Sequence, residues 1–194
     1  MNELVTHKRR WGLVARLGSA LKAVVASPSG KPDQMPLSAG RPSSHRHQDA
    51  RAVLTAARGV VRRGWVQNTW YIVEAPAGRR RAVQPILPSR LDHAHVVEAC
   101  LVGAVMHAAW QQSPRPEHAY PAIDALWYML LGGGDVAGAE PVGPLCSPPV
   151  RVARVRDLTT WNDRRYRTKE DVLDLLDRTV AGIADADKRT DYLR

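Results

Sequence analysis

The strongest constraint on the fold is a segment near the C-terminus with the residues of a capped amphipathic helix. Thr168 is followed three residues later by Asp171, the spacing of a capping box, in which a hydroxyl and a carboxylate satisfy the first amides of a helix. Asp174 lies four residues before Arg178 and can pair with it across one turn. Apolar residues then recur at helical spacing: Val172, Leu173, Leu176, Val180 and Ile183. The segment predicts a helix docked by its apolar face on a small helical domain.

The core available to this helix is built mainly from Ala, Val and Leu. The chain has 194 residues and 44% hydrophobic content, yet it contains 6 Trp, 5 Tyr and no Phe. Small aliphatic side chains favour closely packed helices, and the length suits one domain accompanied by loosely held sequence. We therefore expect a mainly α fold: a single small helical domain with room for one short β-hairpin, preceded by a basic N-terminal arm.

Composition divides the chain into four parts. Apolar residues at helical spacing predict a basic amphipathic helix in residues 1–26, which form the arm. Pro, Ser, Gly and Arg dominate residues 27–48, a composition typical of a flexible linker. The helical domain is expected over residues 49–186, followed by a C-terminal tail over residues 187–194.

Several further elements are predicted inside the domain. The first is a helix that Asp49 caps and Gly64 ends. Trp65–Val73 is rich in aromatic and β-branched residues, and a turn at residues 75–78 could lead back into Arg80–Ile86, which predicts a β-hairpin. The remaining elements are a central core helix over Leu91–Gln111, a helix over Pro121–Leu131 and a Pro- and Gly-rich loop that runs to about Pro149.

Basic residues are concentrated in the first half of the chain. Residues 1–90 contain 16 Lys and Arg against 4 Asp and Glu, whereas residues 91–194 contain 12 against 15. Such an excess of positive charge attracts nucleic acid, an anionic membrane surface or an acidic partner. The candidate nucleic-acid-binding residues are Arg9, Arg10, Arg16 and Lys22 of the arm, Arg58, Arg62 and Arg63 of the first domain helix, and Arg79, Arg80 and Arg81 beside Trp70 and Tyr71. The alternative is a solvated basic face without a ligand.

From this pattern we expect a non-enzymatic, cytoplasmic protein that binds nucleic acid through its N-terminal half. Its affinity should fall steeply with salt, and removal of residues 1–48 should weaken binding. The alternative is a regulatory or adaptor module whose N-terminal helix docks on a protein partner or on an anionic membrane surface. Helix formation by a peptide of residues 1–26 on liposomes or on the partner would be the signature of this alternative.

The residues before the C-terminal helix form a candidate functional turn: Trp161, Asn162, Asp163 and Arg167. An Asn and an Asp beside several arginines could position a phosphate or a water molecule, which is the basis of an enzymatic interpretation. In the structural interpretation, Asn162 and Asp163 make turn hydrogen bonds while Trp161 anchors the loop in the core. The structural interpretation is favoured, and no catalytic residue is assigned.

Other kinds of site find little support. Metal-binding residue types occur at His93, His95, Glu98 and Cys100, but on a helix His93 and Cys100 point away from the other two, so no metal site is predicted. Cys100 is also too far from His107 along a helix to be activated by it, and it fits a buried structural position. No Walker loop, hydrolase elbow or dinucleotide-binding glycine pattern occurs, so no cofactor is predicted. No stretch has the length and apolarity of a membrane span.

Two motifs support a family resemblance. Cys-Leu-Val-Gly-Ala occupies residues 100–104, and Trp-Asn-Asp at residues 161–163 precedes Arg-Thr-Lys-Glu-Asp-Val at residues 167–172. Over residues 49–183 the chain resembles an uncharacterised family of small helical actinobacterial and phage proteins. Members of that family typically have a small-residue turn after Trp-Asn-Asp, whereas Arg, Arg and Tyr occupy residues 164–166 here. The resemblance implies a helical fold and no particular activity.

Overall fold

The computed structural model describes residues 43–75, 77–84, 95–131 and 148–192. Within these residues, the elements in chain order are α1 (Ser43–Arg63), β1 (Tyr71–Glu74), β2 (Arg80–Val83), β3 (Val96–Ala99), α2 (Leu101–Gln112), a 3-10 helix (Pro116–Ala119), α3 (Tyr120–Leu131), α4 (Pro148–Asn162) and α5 (Lys169–Tyr192). The prediction of a mainly α domain with one hairpin is confirmed, while the predicted N-terminal arm lies outside the described residues. None of the helices in this part of the chain is long and apolar enough to cross a membrane.

The sheet has the strand order β2-β1-β3, and both strand pairs are antiparallel. β1 and β2 form the predicted hairpin, in which Tyr71 lies opposite Val83. Gly78 in the connecting turn has a φ of 74°, a left-handed conformation that favours glycine. The third strand was not predicted; it pairs with the other edge of β1 and places Ala99 opposite Tyr71.

The core lies where α1 meets α2, α3 and α5. The buried face of α1 consists of the apolar residues that define its stripe in the sequence: Val53, Leu54, Ala57, Val60 and Val61. α2 is buried from Leu101 to Ala109, as expected for a central core helix. α5 contributes Val172, Leu176 and Ile183 from the predicted apolar face of the C-terminal helix, together with Leu175, which was not predicted. The helical periodicity of the sequence therefore locates most of the core.

The helix predicted over Leu91–Gln111 is wrong at its start. Val96–Ala99 forms β3, and α2 begins only at Leu101. Cys100 is the N-cap of α2, and its Sγ accepts a hydrogen bond from the Gly103 amide at 3.3 Å. An apolar run of this kind fits a buried strand as well as a buried helix, so periodicity does not locate the boundary between them.

Two helices are longer than predicted. α1 begins at Ser43, so Asp49 lies inside the helix rather than at its N-cap, and the end of the predicted linker is helical. α5 continues to Tyr192, through most of the predicted tail. His47 Nδ1 lies 2.7 Å from Asp187 Oδ1, so a polar contact joins the two helices in their extended parts. This contact is between distant parts of the chain, and local sequence patterns do not report it.

The helix α4, Pro148–Asn162, was not predicted because one of its buried positions is charged. Arg154 Nη1 donates a hydrogen bond to Asp124 Oδ1 of α3 at 2.5 Å, and both side chains are buried. Burial raises the pKa of the Asp124 carboxyl, although the arginine opposes that shift. A buried arginine interrupts the apolar stripe by which a helix is recognised in a sequence.

Because α4 extends to Asn162, Trp161 and Asn162 are its last two residues rather than part of a turn.

Candidate functional site

Two segments from distant parts of the chain lie side by side at one end of the domain. The first, residues 62–68, contains the end of α1 and the residues that follow it; the second, residues 162–169, connects α4 to α5. The hydrogen bonds between them include Lys169 Nζ to Arg62 O at 2.7 Å, Gln67 Nε2 to Arg164 O at 2.9 Å and Asn68 N to Asp163 Oδ1 at 3.0 Å. Because the first residue of one segment meets the last of the other, the two segments run antiparallel.

Asn162 holds these segments to the rest of the domain. Its side chain is completely buried, and its Oδ1 accepts hydrogen bonds from Trp65 Nε1 at 2.9 Å and from the Leu101 amide at 3.1 Å. Its Nδ2 donates to Val66 O at 3.3 Å and to Asp163 Oδ1 at 2.8 Å. These contacts use both donors and both acceptor positions of the amide. We refer to Asn162 and these four partners as the Asn162 clasp.

The clasp bears directly on the enzymatic interpretation of this region. Asn162 has no hydrogen-bonding capacity left for a substrate, because all four positions of its amide are occupied by the protein. Asp163 Oδ1 accepts from both the Asn68 amide and Asn162 Nδ2. The structure therefore assigns the Asn162 amide and one carboxylate oxygen of Asp163 to the fold.

Arg167 is likewise held by the fold. Its guanidinium carbon lies 3.9 Å from the centre of the buried Trp161 ring and 5.4 Å from the centre of the Tyr166 ring. Its Nη1 lies 3.4 Å from Asp171 Oδ2. Stacking on an aromatic face while a carboxylate is nearby is a geometry in which arginine stabilises a loop. Arg167 therefore supports the connection between α4 and α5.

The predicted capping box of α5 is confirmed. The Thr168 amide donates to Asp171 Oδ2 at 2.9 Å, and the Asp171 amide donates to Thr168 Oγ1 at 3.2 Å. The backbone hydrogen bond from Thr168 is the largest cause that lowers the pKa of the Asp171 carboxyl, and the charge of Arg167 acts in the same direction. Together with the clasp, this box fixes both ends of the connection between α4 and α5.

Between these fixed points the connection exposes basic side chains beside those at the end of α1. The exposed arginines are Arg62, Arg63, Arg164 and Arg165, which we call the arginine surface. Among the described residues none of the four forms an ion pair with a carboxylate. Tyr166 follows them in the chain with 68% of its surface exposed, and its hydroxyl accepts a hydrogen bond from Arg164 Nη1 at 3.1 Å. The arrangement offers cationic groups and one aromatic ring to solvent.

The other predicted basic residues are distributed differently. Arg58 binds Asp177 through two hydrogen bonds of 2.5 and 2.9 Å. Arg80 lies 3.5 Å from Glu74 and 2.9 Å from Glu98, while its neighbours Arg79 and Arg81 are exposed. Arg9, Arg10, Arg16 and Lys22 lie outside the described residues. Of the predicted set, the structure thus places Arg62 and Arg63 at the same end of the domain as Arg164 and Arg165, two arginines that were not assigned to it.

Arg164 and Arg165 were missed because they belong to the acidic half of the chain. Residues 91–194 contain more acidic than basic residues, so an average over that region conceals a local basic run. The run Arg164-Arg165-Tyr166-Arg167 was visible in the sequence as a basic turn. Its contact with Gln67, in the segment that follows α1 and 97 residues earlier, required the structure.

The residues around β3 that were considered as metal ligands or as a reactive cysteine do not have the helical arrangement assumed from the sequence. His95 and Glu98 do not share a helical face, and Glu98 pairs with Arg80 at 2.9 Å. Cys100 is buried, and burial raises the pKa of its thiol to about 12, so it stays protonated at neutral pH. His93 lies outside the described residues, within which no group of three or more His, Cys, Asp and Glu side chains could hold a metal ion.

A small cavity lies beside the buried Asp124–Arg154 pair. Its volume is about 10 Å³, and its lining is mainly apolar: Trp70, Met106, Tyr120, Ile123, Asp124, Arg151 and Val155. A volume of this size holds about one water molecule. The cavity is therefore too small to be a substrate site, and the exposed arginine surface is the better candidate for a functional site.

Comparisons with known proteins assign the chain to a family but provide no protein of known activity or structure. A family model described as "Family of unknown function (DUF6197)" matches residues 45–181, which is more than half of the chain. No curated protein and no solved structure matches the chain. The match confirms the prediction of a family without an established activity, and its bounds lie close to the predicted 49–183.

Proposed function

The chain belongs to the family of unknown function DUF6197, and we propose that it is a non-enzymatic protein that binds nucleic acid through the arginine surface. The observation that carries this proposal is that two exposed pairs, Arg62-Arg63 and Arg164-Arg165, belong to segments hydrogen-bonded side by side at one end of the domain. Neither pair is neutralised by a carboxylate among the described residues. The four guanidinium groups therefore add their charge at one end of the domain.

The chemistry of the side chains favours phosphate as their ligand. A guanidinium group presents several N–H donors in a fixed plane and binds phosphate oxygens through paired hydrogen bonds. Lys169 Nζ donates to Arg62 O at 2.7 Å, and Gln67 Nε2 donates to Arg164 O at 2.9 Å, so hydrogen bonds hold the backbone beneath both pairs. A polyanion that contacts both pairs would displace counterions at several phosphates at once, which is the main source of affinity for nucleic acid.

Stabilisation of helix ends is a competing explanation for basic residues at this place. Arg62 and Arg63 lie in the last turn of α1, where positive charge interacts favourably with the helix dipole. Arg164 and Arg165 lie beyond Asn162, the last residue of α4, and the last turn of α4 itself contains no basic residue. Because the dipole effect falls off within the last turn, it accounts for the first pair better than for the second.

The N-terminal arm belongs to the proposal as an additional basic segment. Its four candidate residues, Arg9, Arg10, Arg16 and Lys22, are expected to increase affinity. Because α1 begins at Ser43, a deletion that tests the arm should end at residue 42 rather than at residue 48. The adaptor alternative depends on the same arm and keeps its own test, helix formation by a peptide of residues 1–26. The cytoplasmic location and the actinobacterial or phage origin implied by the motifs are further parts of this proposal.

The proposal is tested by removing the charge of the arginine surface in the full chain. Replacement of Arg62, Arg63, Arg164 and Arg165 by Ala should weaken binding to a labelled oligonucleotide at low salt by about 100-fold, because several phosphate contacts are lost together. The measurement is fluorescence anisotropy with DNA and with RNA. The four side chains are exposed, so the free energy of unfolding should change by less than about 1 kcal/mol.

A matched control separates this surface from overall charge. Arg51, Arg115, Arg156 and Lys188 are exposed elsewhere on the domain, and their replacement by Ala removes an equal number of positive charges. This control should weaken binding by less than about fivefold, since it removes none of the proposed phosphate contacts. Equal losses in the two variants would contradict a specific surface, and absence of binding to both DNA and RNA at low salt would end the proposal.

A further inference from the structure

We infer that the nucleic acid recognised by this surface is single-stranded, with Tyr166 as the platform on which an unpaired base stacks. The inference rests on the proposed function and concerns the class of ligand. Tyr166 is 68% exposed and directly follows Arg165, so an aromatic ring stands beside the cationic groups that would hold phosphates. Aromatic side chains within a basic surface are characteristic of proteins that bind single strands.

The Tyr166 ring is oriented by its neighbours. Its hydroxyl accepts a hydrogen bond from Arg164 Nη1 at 3.1 Å, which restrains the outer end of the ring. The Arg167 guanidinium carbon lies 5.4 Å from the ring centre. A ring held in this way loses less conformational freedom on binding than a freely rotating side chain.

Beneath Tyr166 the stack continues into the core. Arg167 lies 3.9 Å from the centre of the Trp161 ring, and Trp161 is only 8% exposed. Arg167 thus contacts a buried ring at the closer distance and the exposed Tyr166 ring at the longer one. A base that stacks on the solvent side of Tyr166 would extend an existing series of ring and guanidinium contacts. Among the described residues with large exposed apolar side chains, Tyr166 is the aromatic one.

The requirement for an unpaired base distinguishes single-stranded from double-stranded nucleic acid. In a duplex the faces of the bases are covered by stacking within the helix, so a tyrosine side chain reaches only edges and backbone. In a single strand each base has a free face, and stacking on an aromatic side chain tolerates different bases. Single-stranded DNA and single-stranded RNA share this chemistry, and the experiment below distinguishes them.

The experiment measures affinity of the full chain for four labelled probes of about ten nucleotides, the span of one such binding site. The probes are oligo-dT, oligo-rU, a DNA duplex and an abasic sugar-phosphate strand. The wild-type protein should bind oligo-dT, oligo-rU or both about tenfold more tightly than the abasic strand and the duplex. Tyr166→Ala should remove this tenfold preference and leave the affinity for the abasic strand unchanged.

Two further variants serve as controls. Tyr166→Phe keeps the ring and loses the hydroxyl, so it should retain most of the preference for strands that carry bases. Val150→Ala removes another exposed apolar side chain, in the first turn of α4, whereas Tyr166 follows the last turn of that helix. This variant should behave as the wild type. A Tyr166→Phe variant that loses the preference as fully as Tyr166→Ala would overturn stacking as its cause.

The outcomes separate this inference from the proposed function. If wild-type protein binds all four probes equally, or the duplex most tightly, while the four-arginine variant loses affinity for them, the single-strand inference is overturned and the proposed function stands. If none of the probes binds at low salt, or the four-arginine variant binds as the wild type does, the proposed function fails and the inference with it.

Discussion

The Asn162 clasp and the pair Arg164-Arg165 of the arginine surface are neighbours in the chain, yet the polar groups of the clasp are buried and paired whereas those of the surface are exposed. Asn162 is completely buried, and each of its side-chain donors and acceptors has a partner within the protein. Arg164 and Arg165, two and three residues later, are exposed and have no carboxylate partner among the described residues. The comparison indicates that one short connection combines a part that stabilises the fold with a part whose charge is available to a ligand.

The physical basis of this difference is the cost of burial. A buried donor that loses its partner costs about 1–3 kcal/mol, because no water replaces the hydrogen bond. An exposed arginine is solvated in both the folded and the unfolded chain, and its replacement changes stability little. Mutations in the clasp should therefore change the free energy of unfolding, whereas mutations in the arginine surface should change affinity.

The largest expected effect on stability comes from Asn162→Leu. Leucine has a similar volume but cannot accept the hydrogen bonds from Trp65 Nε1 and the Leu101 amide. Two donors would be left without partners, and we expect the free energy of unfolding to fall by about 3 kcal/mol or more, as measured by urea denaturation. Thr160→Leu, at an exposed position in the same turn of α4, should change it by less than about 0.5 kcal/mol. A decrease below about 1 kcal/mol for Asn162→Leu would show that the clasp is not a stabilising unit.

A smaller effect is expected from Asp171→Asn in the capping box. Because the folded state lowers the pKa of the Asp171 carboxyl, its contribution to stability is present above the unfolded pKa of about 4 and is lost as the pH falls through the folded pKa. The Tm of Asp171→Asn should therefore lie below the wild-type Tm at pH 7 and approach it at about pH 2. Thermal unfolding across this pH range measures the difference.

Glu170→Gln is the control for this effect, because it removes a carboxylate from the same turn of α5 without removing the capping box. The difference between its Tm and the wild-type Tm should depend on pH less than the corresponding difference for Asp171→Asn does. A difference between Asp171→Asn and wild type that stays constant from pH 2 to pH 7 would contradict the capping role of the charged carboxylate.

Features of the fold that depend on neighbouring residues were predictable from the sequence. Thr168 and Asp171 identify the start of α5 because capping-box partners lie within one turn of each other. The hairpin of β1 and β2 followed from aromatic and β-branched residues before a turn that contains Gly78. Local chemistry decides such elements, so a local pattern reveals them.

Features that depend on distant residues were not predictable in the same way. α4 contains a buried Arg154, whose burial is compensated by its hydrogen bond to Asp124 of another helix. Asn162 was recognised as notable, but its partner Trp65 lies 97 residues away and its partner Leu101 lies 61 residues away. The placement of Arg62 and Arg164 at the same end of the domain has the same origin, because hydrogen bonds join residues 62–68 to residues 162–169, about one hundred residues later.

The dependence of affinity on salt tests the role of the arginine surface most directly. A plot of the logarithm of the binding constant against the logarithm of salt concentration has a slope of about −0.7 to −0.9 for each phosphate contacted. If the four arginines contact phosphates, the variant that lacks Arg62, Arg63, Arg164 and Arg165 should have a slope that is smaller in magnitude by about 3, while the charge-matched control keeps the wild-type slope. Parallel lines for the wild type and the four-arginine variant would contradict the proposed interface.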